Sequence, residues 1–224
     1  IHRFSMVRLM HLTVWGISMK RLTVLAVLAL YALVACDNPM QGTDPVQDGS
    51  GDPGGTPATP LIATVYVSTG GSDSNDGASA DSPLRTIGAA IERVESGGEI
   101  RVAAGEYRES VSIAKSMVIR GSYTPDFSGS DPAAPSSIID PSDPGPGGRA
   151  ITVGQCDLEL HGIAIRNGVA EKGGGVTIRG SADAPASLLV SGCAITANEA
   201  TGWGGGGISA GYTVVEIENS TIAD

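Results

Sequence analysis

The sequence predicts an all-β fold, a parallel β-helix, and three observations carry that reading. Glycine supplies 32 of 224 residues without a strict every-third-residue period, while aromatic residues make up 4%; the chain is rich in turns and is not collagen. From Leu158 onward a unit repeats, with LELHGIAIRNG (158–168) aligning with LLVSGCAITAN (188–198) and VEIENSTIAD (215–224) with both, at spacings of 30 and then 27. Within each unit, short runs of alternating apolar residues are separated by turns such as GGGV (173–176) and GGGGI (204–208). A unit this short cannot cover its own apolar face, and stacking on its neighbours does. The alternative all-β arrangement, an antiparallel sandwich, would need hairpin turns every 8–12 residues or so.

Charge bounds the partners. Fourteen Lys and Arg stand against 24 Asp and Glu, a net charge of −10. Such a chain is not expected to bind nucleic acid, whose phosphates call for clustered cations.

In chain order, residues 1–18 precede Met19 and are read as an upstream over-read. Met19-Lys20-Arg21 is a short positive segment, followed by the 12 apolar residues LTVLAVLALYAL (22–33). As a helix that run spans only about 18 Å of a hydrocarbon core about 30 Å thick, so residues 19–35 read as a secretory signal peptide. The ending Leu33-Val34-Ala35-Cys36 resembles the lipobox of bacterial lipoproteins. In that family the chain is cut before the cysteine, which is then acylated. The resemblance implies Cys36 as the lipid attachment site and an exported cell-envelope protein anchored to a bacterial membrane, the leaflet left open. A plain signal peptide with a chance cysteine is the alternative. Cleavage there would remove four basic residues and no acid, leaving 189 residues at −14. Repelled by anionic lipid, such a chain would need a tether.

Residues 37–60 hold five Pro and five Gly, too little apolar surface to offset ordering. With Cys36 they read as a lipidated, disordered linker (36–60), which leaves 61–224 as the folded domain. Ala63–Ser68 alternates as a strand. Ser82 and Pro83 are expected as N-cap and first residue of a helix, with Leu84, Ile87, Ile91 and Val94 on its apolar stripe and Gly97-Gly98 at its end. Glu99–Val102 and the pairs Val111/Ile113 and Val118/Ile119 read as further strand pieces. The run YVSTGGSDSNDG…SPLRTIGAAI…GGEIRVAAGEYRE is similar to the N-terminal cap of pectate-lyase-like right-handed β-helix proteins, including a widespread domain family of unknown function. That resemblance implies a right-handed parallel β-helix with an N-terminal capping helix. Glycine-rich turns with Asn-x-Ala nearby also resemble repeats of chlamydial polymorphic outer-membrane proteins. Residues 123–149 carry six prolines and read as a long excursion with a strand at 137–140.

The alignment makes claims about single residues. Leu158, Leu188 and Val215 should form one inward column, Leu160, Val190 and Ile217 a second, and Ile165, Ile195 and Ile222 a third. Asn167 and Asn198 should stack as a turn ladder, their amides bonding to neighbouring coils, with Asp224 third. The last unit stops at Asp224 without a cap and is read as a truncated helix.

Chemistry is sparser. After the leader one histidine remains, His161, in an outward column with Ser191 and Glu218. A triad needs the imidazole between nucleophile and carboxylate, and here the serine is in the middle; a solvated column is expected. Polysaccharide lyases of this fold use a basic residue beside acidic calcium ligands on adjacent coils. Lys115, Lys172, Arg166 and Arg179 lack an evident carboxylate pair, and Leu189 separates Glu159 from Glu216. The run SDSNDG (72–77) looks like a calcium loop, yet Gly77 falls where a third oxygen ligand belongs; a turn is expected. Trp203 and Tyr212 flank the GGGG turn, where they would either stack on a sugar or cover the edge of the core. Cys156 and Cys193 are expected as buried thiols. No catalytic residue, metal site or cofactor is assigned. The expected role is a lipid-anchored, non-catalytic surface protein for adhesion, glycan binding or scaffolding. The alternative is a polysaccharide lyase or glycoside hydrolase, with calcium, whose catalytic coils lie beyond residue 224.

Overall fold

The computed structural model describes residues 60–142, 148–202 and 204–223. The expected signal peptide, Cys36, linker residues before Pro60, Trp203 and Asp224 lie outside the described residues. Three sheets dominate. The longest holds Ile62–Val67, Val94–Ala103, Met117–Tyr123, Leu158–His161, Ala186–Ser191 and Thr213–Glu218. A second holds Gly105–Tyr107, Ser137–Ile139, Ile163–Arg166, Ala194–Thr196 and Thr221–Ala223, and a third Val111–Ile113, Ile151–Val153, Val176–Arg179 and Ile208–Gly211. The chain visits the first, second and third sheet in turn and then returns to the first. Neighbours within each of these sheets pair in parallel. This is a parallel β-helix; a sandwich of hairpins is excluded.

The register superimposes the expected columns. Leu158 pairs with Leu188 and Leu188 with Val215, and Met117 extends that column by one coil. The second column is six deep: Val65, Ile100, Ile119, Leu160, Val190 and Ile217. Its first five members are fully buried. Tyr107, Ile139, Ile165, Ile195 and Ile222 form the third. In the last described coil Val215, Ile217 and Ile222 stand 37–48% exposed. Cys193 lies level with Ile163, and both it and Cys156 are buried thiols.

At the other end the helix Ile87–Arg93 covers the first coil, burying Ile87, Ala90 and Ile91. Its N-cap is Thr86, not Ser82: the Thr86 hydroxyl accepts from the Ala89 amide at 3.1 Å. Leu84 is drawn into an extended bridge with Val67, so the backbone there cannot yet be helical, and the Ser82 hydroxyl donates instead to Asp76. The remaining free amides of the first turn are met from far along the chain. Asp73 accepts from Arg85 and Thr86, and the two Glu109 oxygens accept from Ile87 and Gly88. Burial lifts the Glu109 carboxyl above its ordinary range despite these two amides, with Asp73 adding to the rise.

The turn ladder differs by one residue from expectation. Asn167 lies level with Ala197, each with positive φ (59° and 54°), and the Asn167 amide nitrogen donates to Asp140 at 2.7 Å. Asn198 follows one place later and is buried. Its Nδ2 donates to the carbonyls of Ile165 and Thr196, and its Oδ1 accepts from the Gly168 amide. Both amides bond to a neighbouring coil, but they do not stack, because the left-handed position and the buried position are consecutive.

Gly162 and Gly192 occupy another left-handed row, with Asn219 third (φ 60°, 61° and 47°). A Cβ on Gly162 would sit 2.8 Å from the Pro132 Cα, and one on Gly192 2.6 Å from the Pro132 carbonyl oxygen. The proline-rich excursion therefore folds back across two coils, and glycine makes room for it.

Candidate functional site

On the outer face of the longest sheet, Tyr66, Arg101, Arg120, His161, Ser191 and Glu218 lie in one file, one residue per strand. The neighbouring file reads Thr64, Glu99, Val118, Glu159, Leu189 and Glu216. Strand alternation places these residues outward because Val65, Ile100 and Ile119 must point in.

Two arginines on adjacent coils, directly paired, should repel. Glu99 bridges them: Oε1 accepts from Arg101 Nε at 2.6 Å and Oε2 from Arg120 Nε at 3.1 Å. Burial works against the Glu99 charge, but Arg101 and then Arg120 hold the carboxyl below its ordinary range. The bond from Glu99 in turn raises Arg101. The Arg101 guanidinium carbon lies 5.6 Å from the Tyr66 ring centre and 5.7 Å from that of Tyr123, within cation–π range of both. Phe127 completes the cluster, edge-on to Tyr66 with ring centres 5.1 Å apart and 6.0 Å from Tyr123.

Phe127 reaches this place in a left-handed conformation (φ 57°), which is costly for a bulky residue. A tight turn imposes it. The Phe127 amide donates to the Thr124 carbonyl, and the Thr124 amide to that of Gly129. Asp126 accepts from the hydroxyls of Thr124 and Ser128 and from the Ser128 amide, which push its carboxyl down to about 2.

The other expected site residues are placed as follows. Tyr212 is exposed, at positive φ (51°). His161, Ser191 and Glu218 do share an outward file, but the partner of the imidazole is Glu159, 3.1 Å away on the same strand. Leu189 separates Glu159 from Glu216. Arg166 donates to the buried Asp140 at 3.0 Å and lies 3.3 Å from Glu106. Burial opposes the charge of Asp140, yet the bonds from Ser142, Asn167 and Arg166 keep its carboxyl low.

The SDSNDG loop is a turn held by a guanidinium. Arg93 donates to the backbone carbonyls of Asn75 (2.9 Å), Asp76 (3.3 Å) and Asp73 (3.5 Å). The Asp73 and Asp76 carboxylates face the chain's own donors. Among the described residues no group of three or more His, Cys, Asp or Glu comes together in metal-binding range, and no helix is long and apolar enough to cross a membrane.

Residues 69–223 match the family described as Protein of unknown function (DUF1565). The chain belongs to that family. No curated protein and no solved structure matched it. The span matched to DUF1565 takes in Arg101, Arg120, Tyr123 and Phe127, while Tyr66 lies three residues before it.

Sequence reading missed the arginine–aromatic cluster. Its repeat alignment began at Leu158, so Tyr66, Arg101 and Arg120 had no register to one another. The available signal was local: each directly follows an inward residue, Val65, Ile100 or Ile119, in an alternating strand.

Proposed function

We propose that the protein is an exported, lipid-anchored cell-envelope β-helix of the pectate-lyase-like type, acting as a non-catalytic surface-binding protein whose ligand is a glycan. The observation that carries this reading is the outer-face cluster of Tyr66, Tyr123 and Phe127 beside Arg101 and Arg120. Aromatic faces with fixed polar neighbours suit sugar rings, which present apolar C–H faces and polar edges. The leader ending at Cys36 supports the anchor, since acylation of one cysteine with more than one chain gives stable attachment.

Two measurements test it. In cell fractionation, the wild-type chain should partition with membranes and Cys36→Ser should leave them; retention of the variant in the membrane fraction refutes the anchor. On a glycan array the full chain should retain a defined subset of oligosaccharides, and an array without retention refutes the ligand class. An unsaturated product from polyuronate and calcium would replace this reading with the lyase alternative.

A further inference from the structure

Glu99 divides its two oxygens between two arginines, and what that leaves over is a directed anion site. Each arginine spends its Nε on Glu99. Arg101 also donates from one terminal nitrogen to the Tyr66 hydroxyl at 3.4 Å, while the terminal nitrogens of Arg120 have no partner among the described residues. Both side chains remain accessible, at 36% and 40%. Within this trio one carboxylate against two guanidiniums leaves one positive charge on the early coils, while Glu159, Glu216 and Glu218 make the later coils of the same face acidic. The residual charge is held still: Glu99 fixes both forks, and the rings of Tyr66 and Tyr123 hold Arg101. A fold needing only stability gains little here, because ion pairs this exposed contribute about 0–1 kcal/mol and like charges on paired strands oppose them.

We propose that Arg120 and Arg101 bind the acidic group of a negatively charged sugar, with Tyr66, Tyr123 and Phe127 forming the wall beside its ring; this rests on the glycan-binding reading above. A planar guanidinium with free terminal N–H groups meets a carboxylate or sulfate through paired, charge-assisted hydrogen bonds. The free donors of Arg120 lie one coil, ~4.8 Å, from Arg101. The acid group and the ring of one sugar can therefore engage neighbouring coils at once. The shared chemistry is an oxyanion carried on a sugar.

The test is calorimetric titration of the full chain in detergent with three probes: a galacturonic acid tetramer, a sulfated galactose tetramer and a neutral galactose tetramer. At least one acidic tetramer should bind, the neutral one should bind at least about tenfold more weakly, and affinity should fall as salt rises. Arg120→Gln should weaken the acidic tetramer about tenfold or more with an unchanged melting temperature, since Glu99 keeps Arg101. Arg120→Lys, which keeps the charge and loses the fork, should fall between them. Arg179→Gln, on a different sheet, should leave affinity unchanged. Which acidic tetramer loses affinity in Arg120→Gln identifies the group, carboxylate or sulfate. Equal affinity of wild type and Arg120→Gln for every bound sugar overturns this site while glycan binding stands. Absence of binding by all three tetramers overturns this site, and the glycan reading falls with it only if the array also retains nothing.

Discussion

The two faces of the longest sheet share one backbone and obey different rules. Inward, the column from Val65 to Ile217 is aliphatic at all six coils. Outward, the file one residue along runs Tyr, Arg, Arg, His, Ser, Glu. Stacking at a single strand spacing explains the first: each inward side chain fills the space between the coils above and below, and a polar or undersized one leaves a void or an unpaired group. Nothing comparable constrains the second face, where water meets most needs. A costly arrangement there, two arginines on adjacent strands with a glutamate spent to hold them, therefore says more about use than a buried isoleucine does.

Substitutions at neighbouring positions would break or sharpen this contrast, the largest effect first. Leu160→Ala, fully buried between Ile119 and Val190, should cost about 2–5 kcal/mol, read as a drop in the urea midpoint. A loss under about 1 kcal/mol would mean the column is not tightly packed. Asn198→Ala would strand the Ile165 and Thr196 carbonyls and the Gly168 amide, for a loss of about 1–3 kcal/mol; Asn167→Ala should cost less, since its left-handed row already tolerates Ala197.

Glu109→Gln sharpens the comparison through pH. Because the folded Glu109 value is raised, the native state keeps a proton that the unfolded chain has lost. The stabilisation from this group is complete below the unfolded value, near 4.5, and is lost as pH rises through the folded one. Wild-type stability relative to Glu109→Gln should therefore fall with rising pH from about 4.5, measured by denaturant midpoints at several pH values; a relative rise would contradict the burial account. Tyr212→Gly should stabilise by roughly 0.5–1 kcal/mol, because it relieves an exposed tyrosine held at positive φ. If it destabilises instead, the ring covers the core edge. Ser191→Ala, outward beside the buried Val190, should change the midpoint by less than about 0.5 kcal/mol.

Much of the fold could be read from the order of residues alone. Leu158, Leu188 and Val215 aligned because identical coils demand like side chains at like positions, so periodicity carries the register. That Leu84, Ile87, Ile91 and Val94 are buried was readable from their spacing, though only Ile87 and Ile91 lie on the helix: Leu84 sits in an extended bridge before it, and Val94 opens the strand that replaces the helix well short of Gly97-Gly98. The helix start was not readable: Asp73 and Glu109, 13 and 22 residues from the amides they meet, moved the cap to Thr86. The turn ladder slipped by one because Asn167 and Asn198 have similar neighbours but different backbone conformations, which residue type does not reveal.

Local pattern and repeat thus dictated the inward columns, the buried cysteines and the split of Glu159 from Glu216 by Leu189, since each follows from alternation and stacking. Only the folded chain brought Phe127 onto Tyr66 and Tyr123, set Pro132 against Gly162 and Gly192, and shared Glu99 between Arg101 and Arg120. Stacking sets Arg101 beside Arg120. The loop conformations that bring Phe127 and Pro132 back onto the sheet, and the division of one carboxylate between two arginines, follow from no repeat, and packing selects them.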